Sequence, residues 1–455
     1  MKDMTQGSVV KNIVSFTLPL LLGNLFQQVY NITDSLIVGR VLGKTALAAV
    51  GTSFPVIFLL TSLLMGISIG FSVLTSQFFG AKNMKYLEIT VDTAYTFGFV
   101  GSIIITIIGI FSVDLIINFL NVPFEVIPLA KNFMIISFCG TIFMFGYNTL
   151  AGILRGLGDS KRPLYFLIFS TILNIGLDLL FVIVFHFGIE GAAWATVISQ
   201  GVSFFLGLFY CFYFNSPAKL TELRLNMKIL QKALQIGFPT GFQQILVSSG
   251  MMVVMGIVNK FGTNITAAFS IASRLDSFAM LPAMSLSMAV TTFTAQNIGA
   301  GKQSRVSSGL RTSILILLFI STLISAVFLL KGFYIIGLFT RDKDVVYAGY
   351  EFFKIVAWFY VFFGIMFCFA GVMRGAGDVF IPMIFSIFTL WLIRIPLSII
   401  LSNKIGYLGI WFAFPVSWIL GALLNALYYF TGRWKRKSLI KSFTTQSVSS
   451  NNLID

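Results

Sequence analysis

The sequence predicts an all-α integral membrane protein with twelve transmembrane helices arranged as two parallel six-helix repeats. Of its 455 residues, 57% are hydrophobic and only 10% are charged, with a mean hydropathy of +0.92. A soluble protein carries about 25% charged residues. Apolar stretches of about 20 residues, each long enough to cross roughly 30 Å of hydrocarbon, recur along the chain. Matching motifs also recur at one fixed distance in the two halves.

Twelve spans follow from the apolar stretches. They cover residues 13–38, 46–76, 91–112, 133–153, 164–187, 192–214, 233–258, 266–296, 312–333, 353–372, 381–401 and 408–430. Twenty of the 31 Lys and Arg lie in the loops on the side that holds the N-terminus, and nine lie on the other side. Because basic loops stay in the cytoplasm, we expect both termini there, which requires an even number of spans. We expect a multi-pass protein of the cell membrane, in a prokaryotic inner membrane.

An internal repeat appears at a distance of 219 residues, which relates Arg155 to Arg374. The same distance relates Gln77 to Gln296, Gly80 to Gly299, Ala81 to Ala300, Gly152 to Gly371, Gly156 to Gly375, Gly158 to Gly377, Asp159 to Asp378 and Pro163 to Pro382. The matched pieces lie on one side of the membrane, so the repeats run parallel, as in one class of transporters. The predicted domains are an N-terminal lobe (1–218), a cytoplasmic linker (219–232), a C-terminal lobe (233–435) and a cytoplasmic tail (436–455).

Composition also excludes other classes of protein. The net charge of +15 would suit a nucleic-acid-binding protein, but the Lys and Arg lie between apolar runs, where they set orientation and meet anionic lipid. A membrane-embedded enzyme would need a nucleophile–base pair or metal ligands at membrane depth. The chain offers one histidine, His186, and three widely separated cysteines. We therefore expect membrane lipids as partners, and no nucleic acid, cofactor or enzymatic activity.

The first span carries polar residues in an otherwise apolar helix, within the segment GNLFQQVYNITDSLIVGR. At 100° per residue, one side of this helix presents the side chains of Gln27, Tyr30, Asn31 and Asp34. An ionisable group inside a span is costly unless it is paired or hydrated. This side of the helix is therefore predicted to point into the bundle or towards water.

A second polar pair lies in the fifth span, where Asn174 and Asp178 are four residues apart and share one side of the helix. Thr196, in the sixth span, can approach them from a neighbouring helix. With Asp34, these residues form a candidate cluster of oxygen donors suited to a hard cation such as sodium. Two sheltered carboxylates favour holding a proton or a sodium ion. A cationic substrate that competes for the same site would give exchange.

The repeated motifs resemble those of the multidrug and toxic compound extrusion (MATE) transporters. The segments that carry the resemblance are GILRGLGDSKRP (152–163), GVMRGAGDVFIP (371–382), SQFFGAKN (76–83) and AQNIGAGK (295–302). The resemblance runs from Pro19 to about Tyr429. It implies two lobes around a central cavity and efflux of small organic cations, driven by an inward flow of protons or sodium ions. We expect the chain to work as a monomer.

The resemblance also assigns roles to single residues. Asp34, Asn174, Asp178 and Thr196 match the cation site in the N-terminal lobe of the family. Gln27 and Tyr30 match polar residues of the cavity, Pro19 matches a proline at which the first helix bends, and Asn148 is a weaker match. The alternative interpretation of these residues is a hydrogen-bonded network that only fixes helix packing.

The C-terminal lobe departs from the pattern of NorM-like members. Those members carry acidic residues in the seventh and tenth helices, where this chain has Val247 and Phe363. We therefore expect coupling through the N-terminal lobe alone, as in the DinF-like or related bacterial branch. Asp276 and Arg394 are expected either to line the substrate cavity or to act as structural partners, and Arg274 is expected to point away from Asp276.

Two other functions of the chain stay open, a flippase and a channel. A lipid-linked oligosaccharide or lipid flippase of the same superfamily commonly has extra helices and several cationic residues in its cavity, whereas the early membrane-embedded charges here are acidic. A channel is the other alternative, but duplicated lobes with an asymmetric acidic site are more typical of a carrier.

The RGLGD and RGAGD motifs are expected to form tight turns, across which Arg and Asp pair.

Overall fold

The computed structural model describes residues 2–440 and is 87% helical, with no strand among the described residues. The predicted tail from residue 441 onward lies outside that range. We label the helices α1 to α12 in chain order. They are α1 (Val9–Ile37), α2 (Gly43–Gly80), α3 (Met84–Phe119), α4 (Ile127–Cys139 and Thr141–Gly156), α5 (Lys161–Val184), α6 (Gly188–Tyr213), α7 (Met227–Phe261), α8 (Thr263–Gly299), α9 (Gln303–Gly337), α10 (Lys343–Ala376), α11 (Phe380–Ile405) and α12 (Leu408–Phe430).

These helices are long and apolar enough to cross a membrane, when the long stretch Val9–Gly80 is divided in two and the two parts of α4 are counted as one span. The continuous stretch Val9–Gly80 has 72 residues. At 1.5 Å per residue it would be about 108 Å long, more than three bilayer cores, so it must hold more than one crossing. A π-helical turn, Val38–Leu42, and the non-helical backbone of Gly43 divide it into α1 and α2. The two parts of α4 form a span bent by 45°. The described residues thus supply twelve crossings.

Most helices extend beyond the predicted apolar spans. The clearest case is α7, which begins at Met227, inside the segment predicted to be a linker. The side chain of Asn226 accepts a 3.1 Å hydrogen bond from the backbone N–H of Ile229 and so caps the new helix. Hydropathy detects only the part of a helix that lies in hydrocarbon, and the start of α7, which carries Lys228 and Lys232, escapes it.

The repeated motifs form equivalent turns after α4 and α10. Gly158 and Gly377 have φ of +79° and +95°, which glycine adopts without steric cost. The two aspartates that follow take different partners: Asp159 accepts from Arg162 Nη1 at 2.8 Å, and Asp378 accepts from the Tyr428 hydroxyl at 2.6 Å. The expected pairing of each aspartate with the arginine of its own motif is wrong, because these other donors reach the carboxylates.

The chain divides into two compact units. The first unit comprises residues 2–3 and Leu18–Gly241, and the second comprises Met4–Thr17 and residues 242–440. Of the three boundaries between the units, the one between residues 3 and 4 precedes α1, and the other two fall inside a helix, one in α1 and one in α7. Each of these two helical boundaries lies within two residues of a proline, Pro19 in α1 and Pro239 in α7. The proline positions and the changes of unit therefore coincide.

In the first unit, α2 and the beginning of α7 approach at glycine positions. A Cβ atom added to Gly66 would lie 2.4 Å from the carbonyl oxygen of Gly237. In the second unit, large aromatic side chains fill the core between α8, α10 and α12. Phe269 stacks on Trp411 with ring centroids 5.3 Å apart, and Phe352 meets the same indole edge-on. Both units thus contain closely packed helices.

Candidate functional site

The predicted cation-binding residues come together in the first unit on α1, α5 and α6. The hydroxyl of Tyr30 donates a 2.9 Å hydrogen bond to Oγ1 of Thr196. Asp34 lies one helical turn beyond Tyr30 and is half-buried. The carboxyl groups of Asp34 and Asp178 are close enough to interact electrostatically, and Tyr30 interacts with both. Three helices therefore contribute side chains to one polar cluster inside an apolar unit.

Asn174 and Asp178 form the buried end of this cluster. Both side chains are 0% exposed. Within the described residues, none of their four side-chain nitrogen and oxygen atoms has a hydrogen-bond partner. Burying a polar group without a partner costs several kcal/mol in an apolar medium, and burying a bare charge costs far more. Buried orphan groups are rare in native structures, so each one needs an explanation.

Local geometry of α5 places these two side chains. They are four residues apart, so they lie one above the other on a single side of the helix. Directly after Asp178 the helix changes to a π-helical segment, Leu179–Val184. Such wide turns appear frequently at functional sites. The sequence indicates the polar pair Asn174 and Asp178, but it contains no signal for the π-helical segment that follows them.

A hard cation or a proton fits this donor set. The cluster offers four carboxylate oxygens, one carboxamide oxygen and two hydroxyl oxygens, which are the ligand types that hard cations prefer. Thr196 Oγ1 accepts a bond from Tyr30, and a hydroxyl oxygen has two lone pairs, so it can still act as a ligand. A cation or a proton would also remove the cost of the unpaired carboxylate of Asp178.

The other predicted cavity residues do not hydrogen-bond to this cluster in the described part of the chain. Gln27 and Asn31 are exposed side chains of α1. Asn148 is half-buried, and its amide donates a 2.8 Å bond to the carbonyl of Met144 in its own helix. Pro19 is buried in α1 and does not interrupt the helix. Within the described residues, no hydrogen bond joins any of these four residues to the cluster.

Asp276 occupies a separate polar position in the second unit. It is 7% exposed and accepts a 2.8 Å hydrogen bond from the hydroxyl of Tyr360 on α10. Arg274 is exposed and makes no ion pair with Asp276 among the described residues, as predicted from their spacing. Tyr360 was missed in the sequence, because a tyrosine in an aromatic-rich span gives no sign of an acidic partner.

Arg394 of α11 lies in an aromatic environment in the same unit. Its Nε donates a 2.8 Å hydrogen bond to Oγ of Ser417. The guanidinium lies over the ring of Phe414, 4.5 Å from the centroid, and 5.9 Å from that of Trp418. Phe363, where NorM-like members are acidic, packs on Trp418 with centroids 5.4 Å apart. An aromatic side chain thus fills this position.

Comparison with known proteins agrees with the repeat. The MatE family model matches residues 19–180 and 239–400, one match in each half of the chain. The chain is 34% identical to a probable multidrug resistance protein, YpnP of Bacillus subtilis, over 96% of its own length and 98% of that protein. It is 35% identical to a second B. subtilis protein of the same description, YoeA, over 96% of both chains.

The fold also matches a solved structure. A multidrug resistance MATE family transporter of the MOP superfamily, solved in an outward-facing conformation, superimposes with a TM-score of 0.90. The two chains are 23% identical, and the match covers 96% of this chain and 99% of that one. At this identity the likeness concerns the fold. The twelve-helix arrangement with two repeats is therefore that of a known class of membrane protein.

Proposed function

The chain belongs to the MatE family of transporters, and from this premise we propose that it is a secondary active multidrug exporter. It exchanges organic cations or other xenobiotics for protons or sodium ions. The names of the two B. subtilis relatives support multidrug resistance as its role. We further propose that it lies in the cell membrane with both termini in the cytoplasm.

One observation carries the proposal: the unpartnered burial of Asn174 and Asp178 beside a second carboxylate. A network that only fixed helix packing would satisfy its own hydrogen bonds, because half-satisfied buried networks destabilise a fold. Here all four side-chain polar atoms lack a partner within the described residues. An exchangeable ligand, an inorganic cation or a proton, accounts for these groups better than packing does.

Exchange follows from the chemistry of this cluster. Asp34 and Asp178 are close enough that their two negative charges repel each other. An inorganic cation or proton relieves that repulsion, and so does the positive charge of an organic substrate. Since both compete for one set of oxygens, binding of one expels the other. This mutual exclusion, combined with alternating access, is sufficient for antiport.

The experiment that tests the proposal is efflux of ethidium, a fluorescent cation, from proteoliposomes under separately imposed proton and sodium gradients. We expect at least one gradient to drive efflux by the wild type, and Asp34→Asn and Asp178→Asn to abolish it. Membrane insertion of each variant is checked by reconstitution yield. Gradient-driven efflux retained in both variants would remove these carboxylates from coupling and contradict the proposal.

A further inference from the structure

A short basic segment (433–437) follows α12, and its charged side chains are all exposed. Its cationic residues are Arg433, Lys435, Arg436 and Lys437. None of them forms an ion pair with another residue in the described part of the chain. The sequence contains no Asp or Glu between Asp378 and Asp455. Four positive charges therefore stand together without a counter-charge nearby in sequence.

Buried side chains hold the basic segment against the second unit. The indole of Trp434, inside the segment, is 0% exposed, and its Nε1 donates a 2.9 Å hydrogen bond to the carbonyl of Tyr429. The two rings stack with centroids 5.2 Å apart. Just after the segment, Leu439 is buried against the RGAGD turn, where a Cβ atom added to Gly377 would lie 2.8 Å from the Leu439 Cγ. The charges are therefore carried by a packed segment at the end of α12.

The first repeat makes the corresponding connection without these charges. At the repeat distance of 219 residues, the four basic positions correspond to Phe214, Ser216, Pro217 and Ala218. Ser216 and Ala218 are buried, and the carbonyl of Ala218 accepts a 3.1 Å hydrogen bond from the hydroxyl of Tyr95. The sixth helix of a repeat can therefore be followed by a neutral segment, and the basic residues after α12 need an explanation other than folding.

Membrane orientation does not require the basic segment either. Of the 20 Lys and Arg on the side of the N-terminus, 16 remain when these four are left out, and the other side has nine. The bias that sets orientation is therefore kept. What the four residues add is a local concentration of positive charge directly after a spanning helix. Such clusters attract anionic lipid headgroups, by about fivefold in affinity for each Lys or Arg.

We propose that the basic segment binds the headgroups of anionic phospholipids in the cytoplasmic leaflet. Arg433 and Arg436 lie three residues apart in a 3-10 turn, so their side chains leave the same side of it. Each guanidinium can donate two parallel hydrogen bonds to a phosphate, and the lysines add point charges. The inference goes beyond the proposed exchange function and takes from it only the cytoplasmic position of the termini.

The test measures lipid binding to the purified full-length protein in dodecyl maltoside. Native mass spectrometry follows titrations with dioleoyl phosphatidylglycerol, which is anionic, and dioleoyl phosphatidylcholine, which is zwitterionic. We expect phosphatidylglycerol to bind at least about tenfold more tightly, and higher ionic strength to weaken its binding. Equal affinities for the two lipids would overturn the proposal. Displacement of phosphatidylglycerol by an equal concentration of inorganic phosphate would also overturn it, because the segment would then be a site for free anions.

Two variants that lose the same charge locate the effect. The first carries Arg433→Gln, Lys435→Gln, Arg436→Gln and Lys437→Gln, and should reduce the preference for phosphatidylglycerol to about twofold or less. The control should keep the wild-type preference, and it changes four exposed lysines of the first unit: Lys82→Gln, Lys85→Gln, Lys161→Gln and Lys228→Gln.

An unchanged preference in the first variant, or an equal loss in both variants, would contradict the proposal. Trp434 and Leu439 are retained in both variants, and thermal unfolding in detergent checks that each is folded. If the first variant does not fold, the comparison of the two lipids on the wild type still decides. Because the binding measurement needs neither a gradient nor a coupling ion, its outcome is independent of the antiport test.

Discussion

The hydroxyl of Tyr30 donates a 2.9 Å hydrogen bond to Oγ1 of Thr196, and this bond joins α1 to α6 within the polar cluster that also holds Asp34 and Asp178. Tyr30 also interacts electrostatically with both carboxyl groups of the cluster. Tyr30 lies on α1, the helix that also carries Asp34. Its hydrogen bond therefore fixes the position of the Thr196 hydroxyl oxygen on α6. The bond makes the geometry of the cluster depend on where α1 lies.

Tyr30→Phe should weaken the apparent affinity for the coupling ion about fivefold. The substitution removes one hydrogen bond, worth about 1 kcal/mol, and leaves Thr196 free to rotate. The measurement is the ion concentration that gives half-maximal ethidium efflux in proteoliposomes. Tyr407→Phe is the matched control, since it removes a 2.6 Å bond to Glu351 in the second unit. An equal shift in both variants would show that the effect is not specific to the cluster.

Asp178→Asn should abolish exchange and at the same time stabilise the protein by about 1–3 kcal/mol in sodium-free buffer. The wild-type carboxylate is buried and has no hydrogen-bond partner in the described part of the chain, and the amide removes the cost of a buried ionisable group. Thermal unfolding of the purified protein in detergent measures the gain. Asp114→Asn, whose side chain is 71% exposed, should change stability by less than about 0.5 kcal/mol. A destabilised Asp178→Asn would indicate a structural role.

Asn174→Ala should remove the stabilisation that the coupling ion gives. A ligand at 100 times its dissociation constant stabilises a native state by about 2.7 kcal/mol. The wild type should therefore unfold at a higher temperature when the coupling ion is added at constant ionic strength, and Asn174→Ala should show no such shift. Asn425→Ala is the control, because Asn425 is a buried asparagine of the second unit whose Oδ1 also has no hydrogen-bond partner among the described residues. A retained ion effect in Asn174→Ala would exclude that carboxamide as a ligand.

The sequence predicted the helices well, and it placed the polar residues of the N-terminal cluster inside their spans, because both features are patterns along single chain segments. Apolar runs mark crossings, and a polar residue inside a run stands out. Asn174 and Asp178 were visible for that reason. Tyr360 and Ser417 were not, since neutral residues in aromatic-rich helices acquire meaning only from the charged side chain that they contact. The division of α1 and α7 between two units likewise depends on packing partners that hydropathy does not record.

The approach of α2 to α7 gives a prediction about packing alone. A methyl group at Gly66 would lie 2.4 Å from the carbonyl oxygen of Gly237, and 2.5 Å from the backbone nitrogen of Gly241. Because these neighbours are backbone atoms, they cannot rotate away, and the two helices must separate. Gly66→Ala should therefore destabilise the protein by about 1–3 kcal/mol, the usual cost of overpacking.

Gly51→Ala, on the same helix, is the matched control for this substitution. A Cβ atom at Gly51 would meet nothing within 4 Å. Alanine there should stabilise the helix by about 0.5–1 kcal/mol, because it loses less backbone entropy than glycine on folding. The two variants carry the same chemical change and should shift the unfolding temperature in opposite directions. If both raised it, the contact between α2 and α7 would be looser than the structure shows, and α7 would have room to move against α2 without cost.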